Sequence, residues 1–469
     1  MRVALPKPEL IEPRSLRVRL WQVGGLLAVL TLVVGSANLF LPADARVTAS
    51  MLGHDFLPFY MAGTMARRGD IDALYDLQAA RDFQQHLAQA NDLVLGTSFG
   101  PWWNPPHLAW LFAPYSRLPY RVALAAWTLT SVLLLLLGIV MLTRFLPRKH
   151  DEIDTPADFR TWGLVPLLLI VSMPFVQAIS HGQNTFLSLF ILTAAVSLWR
   201  SDRALLAGLT LGLLFYKPQL AALVSLMLVV TMGSRALLGL TFTGLATLAL
   251  TVHTLPGTLG DWLTRLPNNL RALQVDQPYL WERHVTLRAF WRLLLQGYET
   301  GVVQTSVVVL ASGFSVLLVG GLLLAAYRQA RLTRPDTPWH TDTRSIRRDR
   351  LISATIVVAP LVAPFYFDYD LLLLAIPATL LARERLLIRD ADRRGRLHDY
   401  AVGLMGLTYA WTMFNPALTQ ATHVNGTVLL LTALALVLVA RACPRRMQVA
   451  TAETGIDPRV LPVTIRRAA

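Results

Sequence analysis

A carboxylate stands beside a histidine in the stretch Gly-His-Asp-Phe-Leu-Pro-Phe-Tyr, residues 53–60 of a largely apolar sequence. Aromatic residues surround the pair, which follows shortly after the first long apolar segment. A carboxylate in such a position can accept a proton from a reacting group. It can also cap a helix that begins near Leu57 and Pro58, because proline is favoured in a first helical turn. The residues alone leave both roles open for Asp55.

A second candidate for chemistry is Lys217, one of three lysines in the chain and the only one outside the segments that we place in the cytoplasm. It stands between Tyr216 and Pro218, where the proline interrupts an apolar stretch. A fixed cation there can stabilise negative charge that increases during a reaction. A lysine at a helix end can instead extend its ammonium group toward lipid headgroups. Both interpretations fit the sequence.

The composition identifies the environment of these residues. The chain has 469 residues, of which 54% are hydrophobic and 15% are charged. This balance excludes an ordinary soluble domain and indicates many membrane spans. Ala43-Asp44-Ala45 imitates a signal-peptidase site. The preceding apolar run is longer than the ~7–15 residues of a secretory signal, so we expect an uncleaved first helix.

The net charge of +14 does not require a nucleic acid partner. Arginines gather in short segments between the apolar runs, as is typical of cytoplasmic loops. The single cysteine, Cys443, excludes a disulfide framework. We therefore predict a multi-pass protein of a bacterial inner (plasma) membrane, with both termini in the cytoplasm.

The apolar segments predict an all-α membrane fold of about twelve transmembrane or re-entrant helices, since several are too short to cross the bilayer alone. A cytoplasmic segment, 1–19, precedes a transmembrane domain, 20–442, and a cytoplasmic tail, 443–469. Two structured outer loops are expected at about 42–119 and 256–302. The predicted segments are 20–41, 120–143, 161–180, 185–199, 204–216, 218–232, 236–255, 303–327, 351–367, 370–382, 400–415 and 425–441. None has an acidic or basic residue near its middle, which places any chemistry at the outer interface.

Four elements follow one another in a specific order. They are Asp55-Phe-Leu-Pro-Phe-Tyr-Met-Ala-Gly63 with Ala73-Leu-Tyr-Asp76, Asn104-Pro-Pro-His-Leu-Ala-Trp-Leu-Phe-Ala-Pro114 with Leu118-Pro-Tyr-Arg121, Gly182-Gln183-Asn184, and Leu213-Leu-Phe-Tyr-Lys217-Pro218-Gln219. Together they resemble glycosyltransferase family 87 over roughly residues 20–385. The family consists of GT-C membrane enzymes that use polyprenyl-phosphate sugars. The sequence departs from the family at Asn104, where tyrosine is usual, and at Glu282-Arg283-His284.

The resemblance implies transfer of a sugar, with mannose favoured, to an acceptor hydroxyl outside the cytoplasm, with inversion. The active site would face the periplasm or the exterior. It implies Asp55 as the general base that takes the proton of the attacking hydroxyl. The acceptor would be a glycolipid, a polysaccharide or another glycan. We expect the phosphate of the donor to contact Lys217, His284, Arg283, Arg288 and His181. We expect substrate contacts from His54, Tyr60, Asn104, His107, Gln183, Asn184 and Gln219.

Three further expectations complete the interpretation. No spacing brings three metal ligands together, so we expect a reaction without a metal or other cofactor. Asp368 and Asp370 flank Tyr369 at the start of a span, where they are expected to cap the helix. The alternative function is a multi-pass transporter or lipid flippase without enzymatic activity. The unequal outer loops and the absence of a visible two-fold repeat argue against it.

Overall fold

The computed structural model describes residues 53–93, 95, 99–146, 169, 172–332, 341–388 and 395–443. These residues form α-helices and short 3-10 segments, with no strand among them. The prediction of an all-α fold is confirmed for this part of the chain. The predicted first span, 20–41, and the residues after Cys443 lie outside the described residues.

The predicted first outer loop contains three helices ahead of the long helix α4. They are α1 (Phe56–Arg68), α2 (Leu77–Ala90) and α3 (Ala109–Phe112), and α4 follows (Tyr120–Thr143). Gly69 ends α1 because its φ of 87° is accessible to glycine at little cost. The Asp76 carboxylate caps α2 by accepting hydrogen bonds from the backbone amides of Gln78 and Ala79. The described part of this loop therefore contains well-defined helices.

Five helices form the middle of the chain, and two of them pack backbone against backbone. They are α5 (Met173–Ser180), α6 (Thr185–Arg200), α7 (Ala204–Gly212), α8 (Pro218–Met232) and α9 (Ser234–Thr254). A Cβ atom at Gly208 would lie 2.2 Å from the carbonyl oxygen of Ala236, and one at Gly239 would lie 2.3 Å from that of Leu205. Small residues thus let α7 and α9 approach closely, as in membrane helix pairs.

Helices also form most of the predicted second outer loop and of the described residues in the last third of the chain. The loop contains α10 (Thr258–Gln274) and α11 (Leu287–Gln296), and α12 (Thr305–Leu332) and α13 (Thr341–Val362) follow. A 3-10 segment, Asp368–Leu374, leads into α14 (Ala375–Leu387). The last helices are α15 (Arg396–Trp411), α16 (Asn415–Thr422) and α17 (Gly426–Ala442).

Three helices of the described residues, α4, α9 and the greater part of α12, are long and apolar enough to cross a membrane. The pair α16 and α17, bent by 111°, gives a fourth candidate if it acts as one span. Exposed apolar side chains, including Leu129, Phe242 and Leu317, cover the surfaces of the three long helices. The chain is therefore a membrane protein. The number of twelve spans, the sidedness of the loops and the domain bounds stay predictions.

Candidate active site

Asp55 lies at the N-terminus of α1, but its carboxylate does not cap the helix. Instead its Oδ2 atom accepts a hydrogen bond of 2.9 Å from His181 Nδ1 and one of 2.7 Å from Gln183 Nε2. An ionised carboxylate can only accept, so the imidazole is the donor. The capping alternative for Asp55 is wrong, and the predicted first outer loop and the turn between α5 and α6 share a polar centre.

Glycine makes this approach of two distant segments possible. The backbone amide of Gly53 donates to the carbonyl of Ser180 over 2.7 Å, and that of Asp55 donates to the carbonyl of His181 over 3.0 Å. Gly182 has a φ of 69°, and a Cβ atom there would lie 2.9 Å from Cβ of Phe56. Any larger residue at 182 would therefore be strained and would push the turn away from α1.

The surroundings of Asp55 favour its ionised form. Burial raises the pKa of this carboxyl, but the hydrogen bond and charge of His181, the charge of His54 and the hydrogen bond of Gln183 together outweigh burial and lower the pKa below its ordinary value of 3.8. Burial also lowers the pKa of His54. The Asp55 side chain stays 24% exposed, and its Oδ1 atom accepts no hydrogen bond from the residues described here. One carboxylate oxygen is thus held while the other is available to a ligand.

Lys217 is buried in the protein and paired with Asp370. Its Nζ atom lies 2.9 Å and 3.0 Å from the two carboxylate oxygens, and Thr185 donates a further hydrogen bond of 2.8 Å to the same carboxylate. The exposed fractions of the two charged side chains are only 7% and 5%. The interpretation that the Lys217 ammonium group extends toward lipid headgroups is therefore excluded. A role for Lys217 at a phosphate stays a prediction, and Asp370 is its counter-ion rather than a helix cap.

A second ion pair joins Arg283 to Asp368. The Arg283 Nη2 atom lies 3.0 Å from Asp368 Oδ1, and Gln177 Nε2 donates to Oδ2 over 2.8 Å. Oδ1 also accepts from the backbone amide of Tyr369 over 3.0 Å. Asp368 therefore makes one local bond to its own segment, as a cap would, but its main partners come from elsewhere in the chain.

Tyr369 lies between the two ion pairs and the Asp55 centre. Its ring centroid is 6.2 Å from that of His181, 5.5 Å from Lys217 Nζ and 5.8 Å from the guanidinium carbon of Arg283. The Tyr369 ring also stacks on the ring of Phe367, with 5.3 Å between the two centroids. Tyr369 was not among the predicted site residues. The signal was present in Asp-Tyr-Asp, two carboxylates bracketing an aromatic residue at the start of an apolar run.

The predicted second outer loop reaches the site through its backbone. The amide of Val285 donates to the carbonyl of Tyr366 over 2.9 Å, and His284 forms an isolated bridge with Phe367. Burial lowers the pKa of His284 to about 3, so this residue is neutral at physiological pH and offers no charge to a phosphate. Arg288 is half-buried and has no ion pair or hydrogen bond to a described residue.

The predicted substrate residues, taken together with His181 from the predicted phosphate contacts, divide into three groups. His54, His181 and Gln183 lie at Asp55, and Asn184 beside them is fully buried, with both side-chain amide atoms lacking a described hydrogen-bond partner. Tyr60 belongs to the core, since its hydroxyl donates to the carbonyl of Leu118 over 2.9 Å and its ring packs on Phe56 and Tyr120. No described contact connects the side chains of three further residues to Asp55: Asn104, His107 and Gln219.

Together the fold and this polar centre define a helical membrane protein with a charge-paired polar site. Residues 102–339, slightly more than half of the chain, match the family model of glycosyltransferase family 87, and the chain belongs to that family. It is therefore a membrane glycosyltransferase, with a sugar donor and a glycan acceptor as partners. The matched region contains His181, Gln183, Lys217 and Arg283, whereas Asp55 and Tyr369 lie outside it. No curated protein and no solved structure matches the chain.

Proposed function

We propose that this glycosyltransferase moves a sugar, with mannose favoured, from a polyprenyl-phosphate donor to an acceptor hydroxyl with inversion at the anomeric carbon. Asp55 acts as the general base. The observation that carries the proposal is that the two carboxylate oxygens of Asp55 differ in their hydrogen bonding. Oδ2 is held by His181 and Gln183, while Oδ1 is unbonded among the described residues and reachable. Such a group is fixed in orientation and still able to take a proton.

The reaction is a single displacement. The acceptor oxygen attacks the anomeric carbon, its proton passes to Oδ1 of Asp55, and the bond from that carbon to the phosphate oxygen breaks. The polyprenyl phosphate leaves with the electron pair of the broken bond. Asp55 is a weak base in the resting site because its pKa is low. We therefore place proton transfer late, when bond formation has made the attacking hydroxyl acidic.

Cations near the site stabilise the leaving phosphate. Lys217 Nζ and the guanidinium carbon of Arg283 lie 5.5 Å and 5.8 Å from the centre of the Tyr369 ring, and each cation is already balanced by an aspartate. A phosphate that enters must share these cations with Asp370 and Asp368. Arg288 has no described counter-ion, and we assign it the first contact with the donor. Charge that increases during bond cleavage strengthens such contacts in the transition state. We propose that the reaction proceeds without a metal ion or another cofactor.

We place the enzyme in a bacterial inner membrane with both termini in the cytoplasm and the site facing the periplasm. The support is the clustering of arginines between apolar segments together with the helical order of both predicted outer loops. The acceptor in this arrangement is a glycolipid, a polysaccharide or another glycan of the cell envelope. The donor lipid would enter from the bilayer.

The test uses purified protein in lipid, radiolabelled polyprenyl-phosphate sugars and extracted envelope lipids. Asp55→Asn keeps the size of the side chain and an oxygen for His181 and Gln183, but it cannot act as a base. We expect label transfer to fall by about 10²–10⁴-fold while donor binding is largely kept. Asp70→Asn, an exposed aspartate of the same loop, is the matched control. Near-normal turnover of Asp55→Asn would show that another group removes the proton.

A further inference from the structure

Tyr369 brings an unpaired hydroxyl group to the charged residues of the active site. The residue is 7% exposed, and its hydroxyl makes no hydrogen bond to a described residue but retains some accessible surface. Two nearby buried tyrosines differ. The Tyr366 hydroxyl donates to the backbone carbonyl of Asp370 over 3.1 Å, and the Tyr216 hydroxyl shares a hydrogen bond of 2.8 Å with Ser188. A tyrosine hydroxyl in a protein interior normally has a partner, so that of Tyr369 is available to a ligand.

The backbone conformation explains how Tyr369 reaches two cations. It belongs to the 3-10 segment that begins at Asp368, and three successive side chains of such a helix point in three directions. The first, Asp368, pairs with Arg283. The third, Asp370, pairs with Lys217. Tyr369 takes the remaining direction, with Lys217 Nζ 5.5 Å and the Arg283 guanidinium carbon 5.8 Å from the centre of its ring.

The ring of Tyr369 is fixed by its neighbours. It stacks on Phe367 with an angle of 8° between the ring planes, and it meets the His181 ring edge to face. Its backbone amide donates to Asp368 Oδ1 over 3.0 Å. The hydroxyl therefore has a defined position before any ligand binds, as a catalytic group requires.

The hydroxyl is a hydrogen-bond donor at neutral pH. Burial raises the pKa of Tyr369, which falls between two predicted spans, and the charges of Asp55 and Asp370 raise the pKa further. Both influences disfavour the phenolate, although the charge of Arg283 opposes them. Since these charges act on the hydroxyl, it lies near the proposed base as well as near the two cations.

The surrounding charges determine which ligand group meets this hydroxyl. The two cations beside the ring, Lys217 and Arg283, attract an anion, and an ionised phosphate oxygen accepts hydrogen bonds. In a displacement the attacking and leaving oxygens flank one carbon, so a hydroxyl near Asp55 is also within reach of the phosphate. Both cations are already engaged by aspartates, whereas the hydroxyl is not. It is neutral and does not compete with the cations for these aspartates.

We propose that Tyr369 is a catalytic residue whose hydroxyl donates a hydrogen bond to the phosphate of the sugar donor. The hydroxyl keeps its own proton, and the polyprenyl phosphate still leaves with the electron pair of the broken bond. The hydrogen bond strengthens as the phosphate gains negative charge during cleavage. The proposal rests on the proposed transfer reaction and adds a neutral donor to the cations that hold the leaving group.

Tyr369→Phe tests this role, because phenylalanine keeps the ring and removes only the hydroxyl. The probe is farnesyl phosphate, a short polyprenyl monophosphate, titrated by calorimetry into the purified full chain in detergent. We expect its affinity to fall about 10–100-fold, as for one hydrogen bond to a charged group. Farnesol, which has no phosphate, should bind equally to both proteins. The melting temperature should not change, since the hydroxyl has no described partner in the protein.

Tyr327→Phe is the matched control. Tyr327 is an exposed tyrosine of α12, and its ring also lies beside an arginine, 5.1 Å from Arg331. Unchanged affinity for farnesyl phosphate in Tyr369→Phe overturns the proposal. An equal loss of farnesol binding, or an equal loss in Tyr327→Phe, does the same.

The same titration in Asp55→Asn separates this proposal from the assignment of the base. Affinity for farnesyl phosphate should be kept in Asp55→Asn and lost when Tyr369→Phe is added. If Asp55→Asn transfers label at the normal rate, the assignment of the base fails, while the titration still decides the role of Tyr369.

Discussion

Replacement of His181 by alanine tests how the protein controls the protonation of Asp55. Burial is the largest influence on the pKa of this carboxyl and raises it, whereas the hydrogen bond and charge of His181 are the largest influences that lower it. A hydrogen bond to a charged group contributes roughly 1.5–3 kcal/mol. Since one pKa unit corresponds to ~1.4 kcal/mol, loss of the imidazole raises the pKa of Asp55 by about 1–2 units.

The sign of the change follows from the role of Asp55. A base works only when it is deprotonated, so activity falls as the pH drops through its pKa. The acid limb of kcat/KM therefore moves upward by about 1–2 pH units in His181→Ala. The measurement is label transfer from the donor across the acidic and neutral range, with thermal unfolding followed in parallel.

His86→Ala is the matched control, because His86 is an exposed histidine of the same predicted loop. Its acid limb should coincide with that of the wild type. An acid limb that stays in place in His181→Ala, in a protein that is still folded, refutes the reasoning. In that case the titrating base is not Asp55, or its pKa is not set by the imidazole.

Two further predictions concern buried charge and backbone geometry. Lys217→Met leaves Asp370 buried without its counter-ion and should cost about 3–5 kcal/mol of stability. Adding Asp370→Asn should restore most of the melting temperature, and an unchanged melting temperature in the single variant contradicts this account. Gly182→Ala should lower both transfer activity and melting temperature, because its Cβ atom meets Phe56. Gly69→Ala shares the positive φ but has open space, so its smaller loss measures backbone strain alone.

Apolar runs and their interruptions predicted most helices of the described chain. The runs at 120–143, 218–232 and 236–255 each correspond to one helix with similar bounds. Lipid-facing and core positions are both apolar, so hydropathy identifies these helices without any knowledge of their partners. The same property explains the uncertain span count. A short apolar helix such as α6 satisfies the composition of a span, while its path through the bilayer depends on neighbours that composition does not describe.

The candidate site was only partly predictable. Asp55, His181 and Gln183 were each selected from motifs, but nothing in the sequence indicated that one carboxylate oxygen accepts from both partners. The pairing of Lys217 with Asp370 was not predicted, because both interpretations of Lys217, contact with lipid headgroups and contact with a phosphate, considered this lysine without a partner in the protein. Ion pairs between residues far apart in the chain arise from tertiary packing, which local spacing does not encode.

The site described above draws its residues from segments spread along the chain, beginning at Asp55 and ending with Asp368 and Asp370. Membrane proteins are inserted as they are made, so these parts arrive at different times. Lys217 is synthesised long before Asp370, its counter-ion. Chains that stop before Asp368 therefore contain two cations, Lys217 and Arg283, whose aspartate partners have not been synthesised. Incomplete products are therefore expected to be less stable than the finished protein, since a buried cation without its counter-ion is costly.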